Sequence, residues 1–219
     1  MKRRRSFLKV AGFLRRKARN DLNVLSHRCH SFIFGDKILY VRILSYAGES
    51  LLEAPYLLRP FRPDDLSSVV EINRVCLPEN YSAYFFMEVF KSCPEAFIVA
   101  ERESRVVGYI MCRLEFGFSD VRRFRMVRKG HIVSVAVLPE YRRQGIGREL
   151  VISATKALEL HGAEECFLEV RTANGEAVKL YKDMGFDTVR TVSHYYHDGA
   201  DAFLMSIRLP YSPASAGRP

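Results

Sequence analysis

The sequence lacks any apolar run near the roughly 20 residues that a membrane-crossing helix needs. It also lacks a visible internal repeat. Its 219 residues are 48% hydrophobic, which is enough for one globular domain with a well-buried core. We therefore expect a soluble protein with no membrane span.

Cysteines are few, and their spacing does not indicate a disulfide framework or a metal site. The five cysteines are Cys29, Cys76, Cys93, Cys112 and Cys166. None falls in a C-x-x-C pattern and there is no H-x-x-x-H, which argues against a disulfide framework and against a structural zinc site. We expect reduced thiols, a cytoplasmic location and no metal.

Acidic residues are nearly absent from the first 30 positions. That segment holds ten of the 34 Lys and Arg but one of the 25 Asp and Glu, so the remaining chain carries 24 residues of each sign. The formal net charge of +9 therefore belongs to an N-terminal extension. It does not indicate that the rest of the chain is basic.

Residues 1–54 are expected to form this basic extension, ahead of a domain over 55–210 and a disordered tail over 211–219. Apolar side chains within residues 1–20 share one helical face: Phe7, Val10, Ala11, Leu14 and Ala18. The extension is either a partly helical or disordered tail or a ribosomal RNA tether through residues 1–30. The apolar side chains among its charges fit a partner groove or an anionic membrane surface equally well.

Two common glycine-rich phosphate signatures are missing. There is no G-x-G-x-x-G after a first strand with an acidic residue about 20 positions later, and no G-x-x-x-x-G-K-[ST]. The sequence therefore indicates neither a dinucleotide-binding fingerprint nor a P-loop.

A different glycine-rich turn follows the β-branched run Val133–Leu138. Pro139 has no N–H group to continue a strand, so the strand ends there. Gly145 and Gly147 allow backbone angles that other residues avoid and leave no Cβ to block a ligand.

The helix that starts at Ile146 carries its apolar residues on one face. Its unpaired N-terminal amides and its positive end converge on the turn. Three basic side chains add full charges there: Arg142, Arg143 and Arg148. The pattern predicts a phosphate-binding site.

The R-x-x-G-x-G of this turn, placed after an apolar strand, resembles the pyrophosphate motif of the GNAT superfamily of acyl-CoA N-acyltransferases. The predicted element order β-α-α-β-β-β-α-β-α-β-β is also the GNAT order. Four segments further resemble the catalytic subunit of NatA-type N-terminal acetyltransferases and their single-chain archaeal relatives: LPENYS, KGHIVSVAVLPEYRRQGIG, EVRTANGEAVKLYKDMGF and YYHDGADAFLM. The resemblance spans about Tyr56 to Pro210.

The resemblance implies an α/β GNAT fold, with a mixed central sheet of about seven strands, flanking helices and a splayed central strand. We expect this central strand to begin at His131, after a basic loop over 119–129. The implied cosubstrate is acetyl-CoA, whose pantetheine would pair with the backbone of the central strand. The implied contacts are Val135, Ala136, Val137, Arg142, Arg143, Gln144, Gly145, Ile146, Gly147, Arg148, Asn174 and Tyr181.

An N-terminal amine has an ordinary pKa near 7.7 to 8.0, so acetyl transfer at neutral pH needs a base. The resemblance places that base on Glu79, with His131 as its partner through ordered water, and a proton donor for the CoA sulfur on Tyr181. The alternatives are a solvated glutamate, a hydrogen-bonded core histidine and a core aromatic residue.

The same resemblance implies a slot for the peptide substrate between two loops. Its residues are Leu77, Pro78, Glu79, Tyr81, Tyr195 and Tyr196. His197 and Ala200 differ from the pattern of the relatives, so selectivity is not carried over. The predicted function is acetyl transfer to protein N-termini or nascent chains by direct attack. The alternative is a GNAT enzyme that acetylates lysine or a small-molecule amine.

Overall fold

The computed structural model of the protein describes residues 30–34, 37–41, 56–122 and 124–210. The chain divides into two units, 1–55 and 56–219. In the first unit, β1 (His30–Phe34) and β2 (Lys37–Val41) form an antiparallel hairpin. The helix expected within residues 1–20 and the tail expected over 211–219 lie outside the described residues.

The second unit contains a mixed sheet of seven strands with the order β3-β4-β5-β6-β7-β9-β8. The strands are β3 (Leu57–Pro60), β4 (Ile98–Arg102), β5 (Arg105–Phe118), β6 (Met126–Val137), β7 (Glu165–Arg171), β8 (Asp187–Val192) and β9 (Ala202–Arg208). The helices are α1 (Leu66–Cys76), α2 (Ala83–Ser92), α3 (Ile146–Leu160) and α4 (Gly175–Asp183). Strands β6 and β7 run parallel, and the other neighbouring pairs are antiparallel. The predicted GNAT-type order is confirmed.

The central strand β6 starts five residues earlier than predicted, at Met126 instead of His131. The predicted basic loop is correspondingly shorter, because residues 126–129 pair with β5. Lys129 is only 8% exposed, and Asp120 neutralises its ammonium group. A basic residue that is paired in this way fits within a strand, so charge alone marked the wrong boundary.

A β-bulge interrupts the pairing of β5 with β6. Met111 lies opposite Ser134, whereas the next residue, Cys112, lies opposite Ile132. Val133 is therefore an extra residue in β6 and has no opposite residue in β5. Side chains normally alternate between the two faces of a sheet, and the extra residue shifts this alternation by one position. Residues of β6 that lie an odd number of positions apart across the bulge therefore lie on the same face.

Strand β6 also separates from β7. The two strands pair only at Lys129 with Glu165, Gly130 with Cys166 and His131 with Phe167. Beyond these pairs, β7 continues alongside β9 while residues 132–137 of β6 continue alongside β5. The splayed central strand predicted from the sequence is confirmed.

Helices cover both faces of the sheet. Helices α1 and α2 pack Ile72 and Phe86 against Phe97 and Tyr109, and each such fully buried side chain contributes about 1.5 to 3 kcal/mol. Helix α3 lies on the other face, where a Cβ at Gly130 would be 2.5 Å from Leu158. Within the described ranges, no helix is long and apolar enough to cross a membrane.

Candidate active site

His131 lies on the α1 and α2 face of the sheet, between two carboxylates. Its Nδ1 is 3.1 Å from Oε1 of Glu115, and its Nε2 is 2.8 Å from Oε2 of Glu169. Burial opposes ionisation of Glu115, but the adjacent His131 and Arg113 outweigh it and lower the pKa of this carboxyl. His131 is only 8% exposed, and each of its ring nitrogens has the hydrogen-bond partner that a buried histidine needs. Both partners are carboxylates, so the ring faces a polar part of the sheet.

Phe167 fixes the orientation of the His131 ring. The two rings stack with centroids 4.3 Å apart and planes 13° apart. Lys129 covers Phe167 as well, with its Nζ 4.2 Å from the ring centroid. The imidazole is thus held by a stacked ring in addition to its two carboxylate partners.

Glu79 lies in the loop between α1 and α2, as expected, but it is ion-paired. Its Oε1 accepts a hydrogen bond from Nη2 of Arg171, at the end of β7. Nη1 of Arg171 also donates to Asp198 at 2.8 Å, and the guanidinium carbon lies 4.0 Å from the centroid of the Tyr196 ring. Arg171 therefore connects the 77–82 loop to the 193–201 loop, the two predicted sides of the peptide slot.

The two tyrosines of the 193–201 loop pack against each other at a centroid distance of 5.0 Å. Burial and the neighbouring Glu169 carboxylate raise the pKa of Tyr195 to about 12. Burial and the charge of Glu79 raise the pKa of Tyr196 as well. Both phenols are therefore neutral hydrogen-bonding groups at physiological pH.

A buried polar network anchors the 77–82 loop to the bulged strand. The Tyr81 amide donates to Oδ1 of Asn73 at 3.2 Å, and Nδ2 of Asn73 donates to the Tyr109 hydroxyl at 3.1 Å. That hydroxyl is 2.8 Å from Oγ of Ser134. The other loop residues predicted to bind peptide differ in burial: Leu77 packs on the core, whereas Pro78 is exposed.

The predicted phosphate turn has the expected backbone. Gly145 precedes α3 with φ of 82°, and Arg143 also has a positive φ of 62°. The first α-helical bond here is from Glu149 N–H to the Gly145 carbonyl at 3.1 Å, so the amides of 145–148 have no acceptor within the helix. A Cβ at Gly147 would approach nothing closer than 3.9 Å. The turn thus offers open space beside unpaired donors, which fits a phosphate group.

The remaining predicted cosubstrate contacts surround this turn and the open side of β6. Val135 and Val137 are half-exposed, but Ala136 is buried, and Nε of Arg142 donates to the Val137 carbonyl at 3.0 Å. The Gln144 side chain accepts from Arg102 at 3.3 Å, and Ile146 is buried. Asn174 caps α4 by accepting from the Ala177 amide at 3.2 Å.

Tyr181 packs on the opposite face of the sheet from His131, in α4. It is 6% exposed, and burial next to Cys112 and Cys166 raises the pKa of its phenol. The structure therefore groups Glu79 and His131 on one face and leaves Tyr181 on the other, with the gap between β6 and β7 separating them.

The sequence model of the acetyltransferase (GNAT) family matches residues 66–186. The chain belongs to the GNAT acetyltransferase family. It is 49% identical over 156 residues to the N-alpha-acetyltransferase of Sulfurisphaera tokodaii, covering 70% of this chain and 93% of the relative. It is 34% identical over 151 residues to the fission yeast (Schizosaccharomyces pombe) N-terminal acetyltransferase A complex catalytic subunit ard1, covering 68% and 82% of the two chains.

A solved GNAT structure, Chaetomium thermophilum Naa20 in complex with a bisubstrate analogue, superimposes with a TM-score of 0.62 at 34% identity. The match covers 72% of this chain and 88% of that chain.

Three polar residues of this GNAT site were missed by the sequence reasoning: Glu115, Glu169 and Arg171. In β7, the half-exposed Glu169 and Arg171 alternate with the buried Leu168 and Val170. That alternation of charged and apolar residues was the available signal for a polar row facing the site.

Proposed function

We propose that the chain is an N-terminal acetyltransferase that transfers acetyl from acetyl-CoA to the α-amine of a protein. The observation that carries this proposal is the set of contacts made by one face of β7. Phe167 and Glu169 hold His131, and Arg171 on the same strand face binds Glu79 at the side of the proposed slot. Its support from sequence is the 49% identity to an archaeal N-alpha-acetyltransferase over nearly that relative's whole length.

Acetyl-CoA fits the chain at two features that both depend on the splayed strand. The amides of 145–148 and the open space at Gly147 suit the pyrophosphate, with Arg148 beside them. Residues 135–137 of β6 lack a strand partner on the β7 side, so their backbone groups that face β7 suit the amides of the pantetheine arm, although the Val137 carbonyl would first have to release Nε of Arg142. Nδ2 of Asn174 remains available for a contact with the cosubstrate, because the N-cap hydrogen bond from the Ala177 amide uses only Oδ1.

The amine must lose a proton before it attacks the thioester carbon. We assign this step to Glu79 and His131 acting through ordered water, with Glu169 holding the imidazole. Because Glu79 is paired with Arg171, the incoming ammonium group must compete with that guanidinium for the carboxylate. We assign the proton for the departing sulfur to Tyr181, whose phenol stays protonated because burial raises its pKa.

We infer that the peptide end lies between the 77–82 loop and Tyr195 and Tyr196. The decisive assay compares peptides that begin with Ser, Ala, Thr or Met with α-blocked peptides that contain one lysine. We expect acetylation of the first set and of neither blocked peptides nor small amines. Activity confined to the blocked set would favour the alternative GNAT reaction on lysine.

Nascent chains are the proposed substrates in the cell, and residues 1–30 are the proposed contact with ribosomal RNA. The support is the density of positive charge, ten Lys and Arg in 30 residues. A cytoplasmic location is proposed from the described cysteines, all of which are free thiols.

Co-sedimentation with ribosomes at low and moderate salt, with and without residues 1–30, tests this contact. We expect pelleting that falls with salt and depends on the extension, while peptide turnover stays the same. Equal pelleting of the two proteins would rule out the proposed ribosome contact of residues 1–30. It would not affect the proposed enzymatic function.

A further inference from the structure

Three potential metal ligands from two distant parts of the sequence meet away from the proposed acetyltransferase site. Cys93 follows α2 as its C-cap, Glu95 lies in the short helical turn Pro94–Ala96, and His161 follows α3. The Cys93 sulfur, a carboxylate oxygen of Glu95 and an imidazole nitrogen of His161 all lie within 4.8 Å of one another. Nε2 of His161 is 3.1 Å from Oε2 of Glu95.

These separations fit a small tetrahedral ion after minor side-chain rotation. Zinc bonds of about 2.0 to 2.3 Å place neighbouring ligand atoms roughly 3.3 to 3.6 Å apart. The nitrogen-to-oxygen distance is already close to this range, and the Glu95 side chain, 54% exposed, is free to rotate. Cys93 is 1% exposed, so it would bind from the protein side and leave the solvent side for water.

The donor set and the local charge also favour zinc. One thiolate, one imidazole and one carboxylate suit Zn²⁺ better than the oxygen-preferring Mg²⁺ or Ca²⁺. A thiolate and a carboxylate together neutralise a divalent ion, and the C-terminal end of α3 is electronegative. Arg128 lies near Cys93 and its positive charge opposes the ion, but its Nη1 is directed to the His161 carbonyl at 2.9 Å.

We propose that Cys93, Glu95 and His161 bind one Zn²⁺ ion, with water as the fourth ligand. The ion joins the end of α2 to the C-terminal end of α3, the helix whose other end carries the phosphate turn. It is a structural clamp outside the acetyl-transfer chemistry. No local spacing motif marks this site, because Cys93 and His161 lie far apart in the sequence.

The test uses the full chain stripped of metal with a chelating resin and titrated with ZnCl₂ against a chromophoric chelator. We expect about one equivalent of Zn²⁺ to bind and the affinity to fall roughly tenfold or more in Cys93→Ser and in His161→Gln. Titration with Co²⁺ should give a thiolate-to-metal charge-transfer band that Cys93→Ser removes. Zn²⁺ should also raise the unfolding temperature of the parent but not of His161→Gln.

Two cysteine variants serve as matched controls. Cys76→Ser removes a half-buried thiol elsewhere, and Cys29→Ser removes a thiol that is flanked in the sequence by His27 and His30. Both should bind Zn²⁺ like the parent. Unchanged affinity in His161→Gln, which alters a half-exposed side chain and should fold, would overturn the proposal. Loss of binding in Cys29→Ser instead of Cys93→Ser would overturn it as well.

Discussion

Glu79 and Arg171 lie 92 positions apart in the sequence and form a hydrogen-bonded ion pair. The same guanidinium bonds Asp198 and lies over the Tyr196 ring. One side chain at the end of β7 therefore fixes both sides of the proposed peptide slot. It also shares its strand face with Glu169, the partner of His131, so the proposed peptide slot and the proposed deprotonation step both depend on a single strand.

Replacement of Arg171 should affect peptide binding most. Arg171→Gln removes the shared anchor of the two loops and leaves the partly buried Glu79 without its cation. We expect the peptide KM to rise by roughly tenfold, equivalent to about 1.4 kcal/mol, with little change in acetyl-CoA affinity. Steady-state kinetics against both substrates measures this. Arg74→Gln, which breaks an exposed pair with Glu71, is the control, and an equal effect there would refute the anchoring role.

Replacement of Glu79 should instead affect turnover. Glu79→Gln keeps the shape of the side chain but removes its basicity, so kcat should fall by about 10²- to 10⁴-fold, the usual contribution of a general base. Acetyl-CoA affinity by calorimetry should stay the same. If kcat is near normal across pH, the deprotonation role passes to His131 and Glu169, and Glu169→Gln should then show the loss.

The phosphate turn offers a prediction with a closely matched control. Gly145→Val forces a β-branched residue into a left-handed backbone at the start of α3, so acetyl-CoA binding should be lost in calorimetry. Gly162, just beyond the end of α3, has nearly the same φ of 80°. Gly162→Val should therefore cost similar stability but leave acetyl-CoA affinity intact. Equal loss of affinity in both variants would mean that strain, not phosphate contact, is responsible.

Asp65 should give the fold a defined acid sensitivity. Burial opposes its ionisation, but two bonds from Arg59 and one from the Arg62 amide lower the pKa of Asp65 below its usual 3.8. Its stabilising effect is therefore complete above about pH 4 and is lost as the pH falls through the lower folded value.

Asp65→Asn should reduce the free energy of unfolding at pH 7 by about 1.5 to 3 kcal/mol, and this difference should shrink as the pH falls below about 4. Urea melts of the two proteins between pH 3 and 7 measure it. The exposed neighbour Asp64 provides the control substitution Asp64→Asn. A difference that stays constant with pH would show that charge at Asp65 is not the cause.

The sequence predicted those parts of the fold that depend on local chemistry. Pro139 marked the end of the central strand, and Gly145 marked the turn before α3, because each residue has a backbone property that few others share. The early start of β6 at Met126 was missed because Lys129 is neutralised by Asp120 and Arg128 bonds the His161 carbonyl, partners that only the fold brings together. Arg171 and Glu169 were missed for the same reason: alternation along β7 shows a polar face, but their partners are distant in sequence.

The divergence of β6 from β7 also has a signature in hydrogen exchange. The two strands share three residue pairs and then separate, so amides of 132–137 that face β7 have no carbonyl from that strand to protect them. In deuterated buffer these positions should exchange faster than the amides that face β5. A pantetheine arm in the gap would act as a substitute strand, and adding acetyl-CoA should slow exchange at these residues while leaving the β7 and β9 pairing unchanged. On the proposed function, the gap is the part of the sheet that the cosubstrate completes, and mass spectrometry of the labelled peptide can follow that completion.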